Sequence, residues 1–270
     1  MPYRIDLRIE AAGAFDRLVE LGAIDVEAVN DWIAAIMPDS VGADAVAQAL
    51  ALAPSDVRVT PAHGRDADST WLVKPRPVQA RRLRIVPADW PADVDAGMLR
   101  MVDGPAFGTG FHPTTALCLD ALDDELAAWP PDQPKRVLDI GTGSGVLALA
   151  ALMSGVSSVV AIDIDADAVR VAAENARLNG LSSGLHLVHG GLDAITGFWP
   201  LVLANVLAAP LIDMAPLIAR RVGRHGRLVL SGIRSSLAPE VERAYRHAGM
   251  RFVRTHVRDG WTALVFNASW

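Results

Sequence analysis

The 270-residue chain has little cysteine, little lysine and no long apolar run. Its single cysteine, Cys118, excludes an internal disulfide and any cysteine-cluster metal site. Only Lys74 and Lys135 are lysines among 25 basic residues, a bias that reads as genomic composition rather than mechanism. No apolar stretch approaches the roughly 20 residues needed to span a bilayer. The opening MPYRIDLRIE has no apolar h-region, so a secretory signal is not expected. The net charge of −6 argues against a nucleic-acid binder, whose domain is usually basic, although an acidic surface speeds encounter with a basic partner. With 51% hydrophobic and 21% charged residues, the composition predicts a globular cytosolic protein with no membrane span.

What is present divides near residue 90. Beyond Val137, apolar runs alternate with helical stretches: VLDI, VVAID, LHLVH, LVLAN and RLVLSG are continuous enough for strands buried on both faces. SGVLALAALMS, ADAVRVAAENARLNG, APLIDMAPLIARRV and LAPEVERAYRHAG lie between or after them as helices. RFVRTHV and WTALVF flank Asp259–Gly260, a hairpin signal. The pattern predicts an α/β, doubly wound, mostly parallel sheet of seven strands with one reversed strand. Before residue 90 the pattern is that of a small α+β module. YRIDLRI, DVRVT, TWLVK and RLRIV read as strands, and Phe15–Leu21, Val26–Met37 and Ala43–Leu52 as helices. The expected domains are 1–90, a linker 91–103 with room for one more strand, and 104–270.

GTGSG, Gly141–Gly145, follows a strand and opens a helix, where glycines let the backbone turn sharply against a ligand. Val146 stands where a dinucleotide loop needs glycine, and a P-loop lysine is missing. A nucleoside with a small polar tail fits better than a pyrophosphate, and S-adenosylmethionine is the leading candidate. Asp163 closes the next strand and is placed to accept from both ribose hydroxyls, while Asp165 and Asp167 read as helix-start charges. Asn205 closes a third strand at the same end of the sheet. Its amide can accept from an amine and also donate, which makes it the candidate catalytic residue as well as a cofactor contact. Asp193 is open between an adenine contact and a solvated carboxylate.

FGTGFHPTT (107–115), VLDIGTGSGVLALAAL, AIDIDADAV, ENARLNG, ANVLAAPLIDMAPLIA and GRLVLSGI together resemble the PrmA family of ribosomal protein L11 methyltransferases. The resemblance runs in order from about Asp103 to the end of the chain, with Trp261 before the last strand. It implies a class I methyltransferase sheet behind a small substrate-recognition domain, and S-adenosylmethionine as cofactor. Carried across residue by residue, it implies cofactor contacts at Phe107, Thr115, Gly141, Gly143, Asp163 and Asn205, with Phe107 lining the methionine end. His112 is expected to shape a turn rather than move a proton. No metal is implied. The implied partner is ribosomal protein L11, methylated on amino groups by a monomer that touches neither nucleic acid nor membrane. The first ninety residues keep Trp71 and Trp90 but not the family's acidic-tryptophan segment. Two other readings therefore stand beside this one: the same fold acting on another protein or a small molecule, and a non-catalytic cofactor-binding module.

Overall fold

The computed structural model describes residues 3–8, 14, 17–18, 21–23, 25–29, 32–38, 40–53, 56–61, 78–90, 97–102, 113–129, 135–258 and 260–270. The chain forms two compact units, Met1–Arg76 and Pro77–Trp270.

In the first unit, β1 (Tyr3–Arg8) is an inner strand of an antiparallel sheet with β2 (Asp25–Val29), β3 (Trp32–Met37) and β4 (Val57–Pro61), in the order β2-β3-β1-β4. Ile5, Leu7, Ile33, Ala35 and Met37 form its core with Val46 and Ala47 of the helix Ala43–Ala49. The helix expected over Val26–Met37 is instead the β2–β3 hairpin. Val29 pairs with Trp32, so only Asn30 and Asp31, both turn-favouring types, separate the two strands in sequence. Arg17 and Leu18 are helical, while the rest of Phe15–Leu21 is partly outside the described residues, and the strand expected at TWLVK is wholly outside them.

The second unit begins before the boundary expected near residue 90. β5 (Val78–Ala80), β6 (Leu83–Pro87) and β7 (Met98–Met101) form a small sheet of their own. Its Ile85, Leu99 and Met101 join one core with Leu119 and Leu122 of the helix Pro113–Ala127 and with Val137. This apolar contact, rather than linker-like composition, decides where these strands belong.

The main sheet contains β8 (Arg136–Ile140), β9 (Ser158–Asp163), β10 (Leu185–His189), β11 (Trp199–Asn205), β12 (Val222–Arg234), β13 (Met250–Arg258) and β14 (Trp261–Ala268). Their order is β10-β9-β8-β11-β12-β14-β13, parallel from β10 through β12, with β14 antiparallel to both neighbours. This is the expected doubly wound sheet with one reversed strand. Successive residues of a strand face opposite sides, so Val137, Val159, Leu201 and Leu203 enter one core while Leu138, Ile140, Val202 and Ala204 enter the other. Burial on both faces is why these strands read as unbroken apolar runs.

The helix Val146–Met153 is apolar all round because it is buried from its first residue. The helix Ala166–Leu178 is capped by Asp165, whose side chain accepts from the Asp167 N–H. The stretch APLIDMAPLIARRV is two short helices, Ala208–Asp213 and Ala215–Ala219. Pro216, with no N–H to bond the preceding turn, accounts for the break. No helix among the described residues is long and apolar enough to cross a membrane.

Candidate active site

β8 and β11 are neighbours, and the connections that follow them run in opposite directions, to β9 on one side and β12 on the other, which opens a crevice at their carboxyl ends. The loop Gly141–Gly145 turns at that end with φ of 69° at Gly141, 55° at Gly143 and 84° at Gly145, values that favour glycine. A Cβ on Gly141 would lie 2.9 Å from Val206 Cγ2, so the loop is pressed against the residue after Asn205.

The loop's N–H groups turn inward. Those of Gly141 and Thr142 donate to the Ile162 carbonyl at 2.9 and 3.0 Å, and that of Gly145 to the Thr142 carbonyl at 2.9 Å. The Gly143 N–H donates to Asp163 Oδ2 at 2.9 Å. The loop therefore does not present the crown of free N–H groups that a pyrophosphate needs, which agrees with the missing P-loop lysine.

Asp163 Oδ1 accepts from the Asp165 N–H at 3.0 Å. An ionised carboxylate has about four acceptor positions, so two backbone bonds orient it and leave lone pairs for a ligand. At the end of β11, Asn205 Nδ2 donates to Thr115 Oγ1 across 3.5 Å, while Asn205 Oδ1 is buried with no partner. Thr115 is fully buried in the first turn of the helix that opens at Pro113. The buried Ser231 hydroxyl donates to the Thr114 carbonyl at 2.8 Å and ties that turn to β12. Thr115, Gly141, Gly143, Asp163 and Asn205 thus meet around one crevice. Phe107 and His112 lie outside the described residues.

Several contributors are invisible to pattern reading. Asp139 is fully buried beneath the loop and accepts from the Thr142 hydroxyl at 2.7 Å. Burial pushes its carboxyl up to about 6, and the neighbouring Asp163 charge adds to the rise. Gly232, at φ 84°, brings β12 so close to Val206 that a Cβ would fall 2.4 Å from its carbonyl oxygen. Ile164 and Leu207, directly beyond Asp163 and Val206, are 80% and 62% exposed and put apolar surface at the crevice edges. Asp193 is exposed in the 3-10 turn Leu192–Ala194 after β10. A cavity of about 650 Å³ lined by Phe198, Val222 and Trp270 lies at the other end of the sheet, where β11 and β12 begin.

The sequence profile described as Ribosomal protein L11 methyltransferase (PrmA) matches residues 20–269. The chain belongs to that family. It is 36% identical to the Ribosomal protein L11 methyltransferase of Azotobacter vinelandii, over 97% of this chain and 96% of that one. It is 38% identical to the protein of the same name from Pelobacter propionicus, over 77% of this chain and 68% of that one. The crystal structure of ribosomal protein L11 methylase from Lactobacillus delbrueckii subsp. bulgaricus superposes with a TM-score of 0.64 at 30% identity, covering 72% of this chain and 99% of that chain. The family's methyl donor is S-adenosylmethionine. The crevice fits such a molecule: an orphaned buried acceptor at Asn205, a carboxylate with open lone pairs at Asp163, and a loop where a Cβ at Gly141 would meet Val206.

Proposed function

We propose that this chain transfers methyl groups from S-adenosylmethionine to amino groups of ribosomal protein L11, on a lysine side chain, the N-terminal amine or both. The observation that carries the reading is the buried, unpartnered Oδ1 of Asn205 beside the glycine loop. An unsatisfied buried acceptor costs about 1–3 kcal/mol, and an amine N–H entering the crevice removes that cost. Asp163 holds the ribose hydroxyls with the lone pairs that its two backbone bonds leave open. Gly141 and Gly143 let the backbone approach the cofactor, and Thr115 steadies the Asn205 amide from behind. Phe107 lines the methionine end, a role carried by the family resemblance.

S-adenosylmethionine, when bound, supplies a methyl group on a sulfonium whose departure needs no proton. The chain's own task is therefore alignment in a water-poor pocket, and Asn205 performs it by accepting from the acceptor amine. The unit Met1–Arg76 is the part that docks the protein substrate, and the reaction belongs to the cytoplasm, where ribosomal proteins are made. The test is to incubate the protein with S-adenosylmethionine and unmethylated ribosomal protein L11 and track the intact mass of the latter. A rise in steps of one methyl group, mapped to amines, is expected. An unchanged mass, with the cofactor demonstrably bound, would turn the search to another protein substrate.

A further inference from the structure

Two asparagines of the run ENARLNG hold β7 and the residue that follows it, and one of them also reaches the glycine loop. Asn179 Oδ1 accepts from the Arg100 N–H at 2.8 Å, and its Nδ2 donates to the Arg100 carbonyl at 2.6 Å. Asn175 Oδ1 accepts from the Val102 N–H at 2.7 Å, and its Nδ2 donates to the Ser144 carbonyl at 2.8 Å. The geometry arises from two repeats. Residues i and i+4 of a helix are about 6 Å apart along its axis, and residues i and i+2 of a strand are about 6.6 Å apart with N–H groups on the same side. Asn175 and Asn179 therefore match Arg100 and Val102 one to one. The partner strand β6 occupies the other edge of β7.

Asn175 differs from Asn179 in where its second end goes. It is fully buried, and Ser144 sits between Gly143, held by Asp163, and Gly145, whose added Cβ would lie 3.0 Å from Ala172 Cβ on the same helix as Asn175. The loop is thus gripped at Gly143 from β9 and at Ser144 from the helix Ala166–Leu178.

We propose that Asn175 is a positioning residue for cofactor binding: its one amide fixes the Ser144 carbonyl and couples the glycine loop to β7. The proposal rests on the reading of that loop as the seat of S-adenosylmethionine. Asn179 anchors β7 and the last turn of its own helix, where its Nδ2 also donates to the Asn175 carbonyl at 2.7 Å, and its side chain makes no hydrogen bond to the glycine loop.

The test compares Asn175→Asp with Asn179→Leu by calorimetric titration of S-adenosylmethionine, with thermal unfolding measured in parallel. Asn175→Asp keeps the acceptor toward Val102 and sets a carboxylate against the Ser144 carbonyl. It should weaken cofactor affinity at least tenfold, while Asn179→Leu lowers the unfolding midpoint and leaves affinity within twofold. Equal affinity in Asn175→Asp, or an equal loss in both variants, overturns the proposal. Amide exchange in the unaltered protein gives a second reading that needs no variant to fold. Cofactor should slow the Val102 amide together with the loop amides, and protection of the loop alone overturns the coupling. Failure of the unaltered protein to bind S-adenosylmethionine would instead remove the seat on which the proposal stands.

Discussion

The two sheets at the opposite ends of the chain handle polar groups in contrasting ways. The described core of the N-terminal sheet is apolar, and among the described residues of Met1–Arg76 no polar or charged residue is buried as a whole, although the Thr60 hydroxyl oxygen is hidden from solvent. In Pro77–Trp270, Thr114, Thr115, Asp139, Thr142, Ser144, Asn175 and Ser231 are all buried, and they gather around the carboxyl ends of β8, β11 and β12. Buried polar groups persist where a network satisfies them, and they confer fixed geometry rather than net stability. The first region is built to stay folded. The second is built to hold particular atoms in place.

Substitutions can pull this contrast apart. Leu7 is buried on an inner strand of the N-terminal sheet and belongs to that unit's own core. Leu7→Ala should cost about 2–5 kcal/mol in denaturant unfolding of its unit while leaving the affinity for S-adenosylmethionine within twofold. An equal loss of cofactor affinity would break the division. Asp163→Ala should do the reverse: it removes the acceptor of the Gly143 N–H and the carboxylate proposed to hold the cofactor hydroxyls. The expected loss is about a hundredfold in affinity, from charge-assisted bonds worth about 1.5–3 kcal/mol, with far-ultraviolet dichroism unchanged.

Asp139 gives the next effect and a pH signature. Its folded pKa of about 6 lies above the roughly 3.9 of an unfolded aspartate. The folded state therefore holds the proton more tightly, and the resulting stabilisation is complete below about pH 4 and lost as the pH rises through about 6. Asp139→Asn lacks this titration. Relative to the unaltered protein it should gain about 1–3 kcal/mol between pH 4 and pH 7, measured as unfolding free energy against pH. A flat difference would contradict the burial argument. Thr115→Val gives the smallest change, about threefold in kcat/KM, because its 3.5 Å contact with Asn205 is at the long limit of a hydrogen bond.

The same contrast governs how much is legible in the sequence. β8, β9 and β11 announce themselves because burial on both faces demands unbroken apolar runs, whereas β10 is an edge strand whose His186 and His189 are exposed, and Gly141, Asp163 and Asn205 stand out by their places at strand ends. The N-terminal strands β2 and β3 read as a helix because VEAVNDWIAAIM satisfies helical spacing as readily as a hairpin. Only the long-range pairing with β1 decides between them. Asp139, Asn175 and Ser231 are not legible as parts of the site. Each acquires its role through a partner, Thr142, Ser144 or Thr114, that the fold brings to it. An asparagine in an amphipathic helix carries no sign that both ends of its amide will be buried.

The most direct measurement is a calorimetric titration of S-adenosylmethionine into the unaltered protein and into Asp163→Ala. The account predicts one site in the unaltered protein and affinity about a hundredfold weaker in the variant. Equal affinity in the two would show that the cofactor does not sit on the crevice formed by Gly141, Asp163 and Asn205, and would contradict the account at its centre.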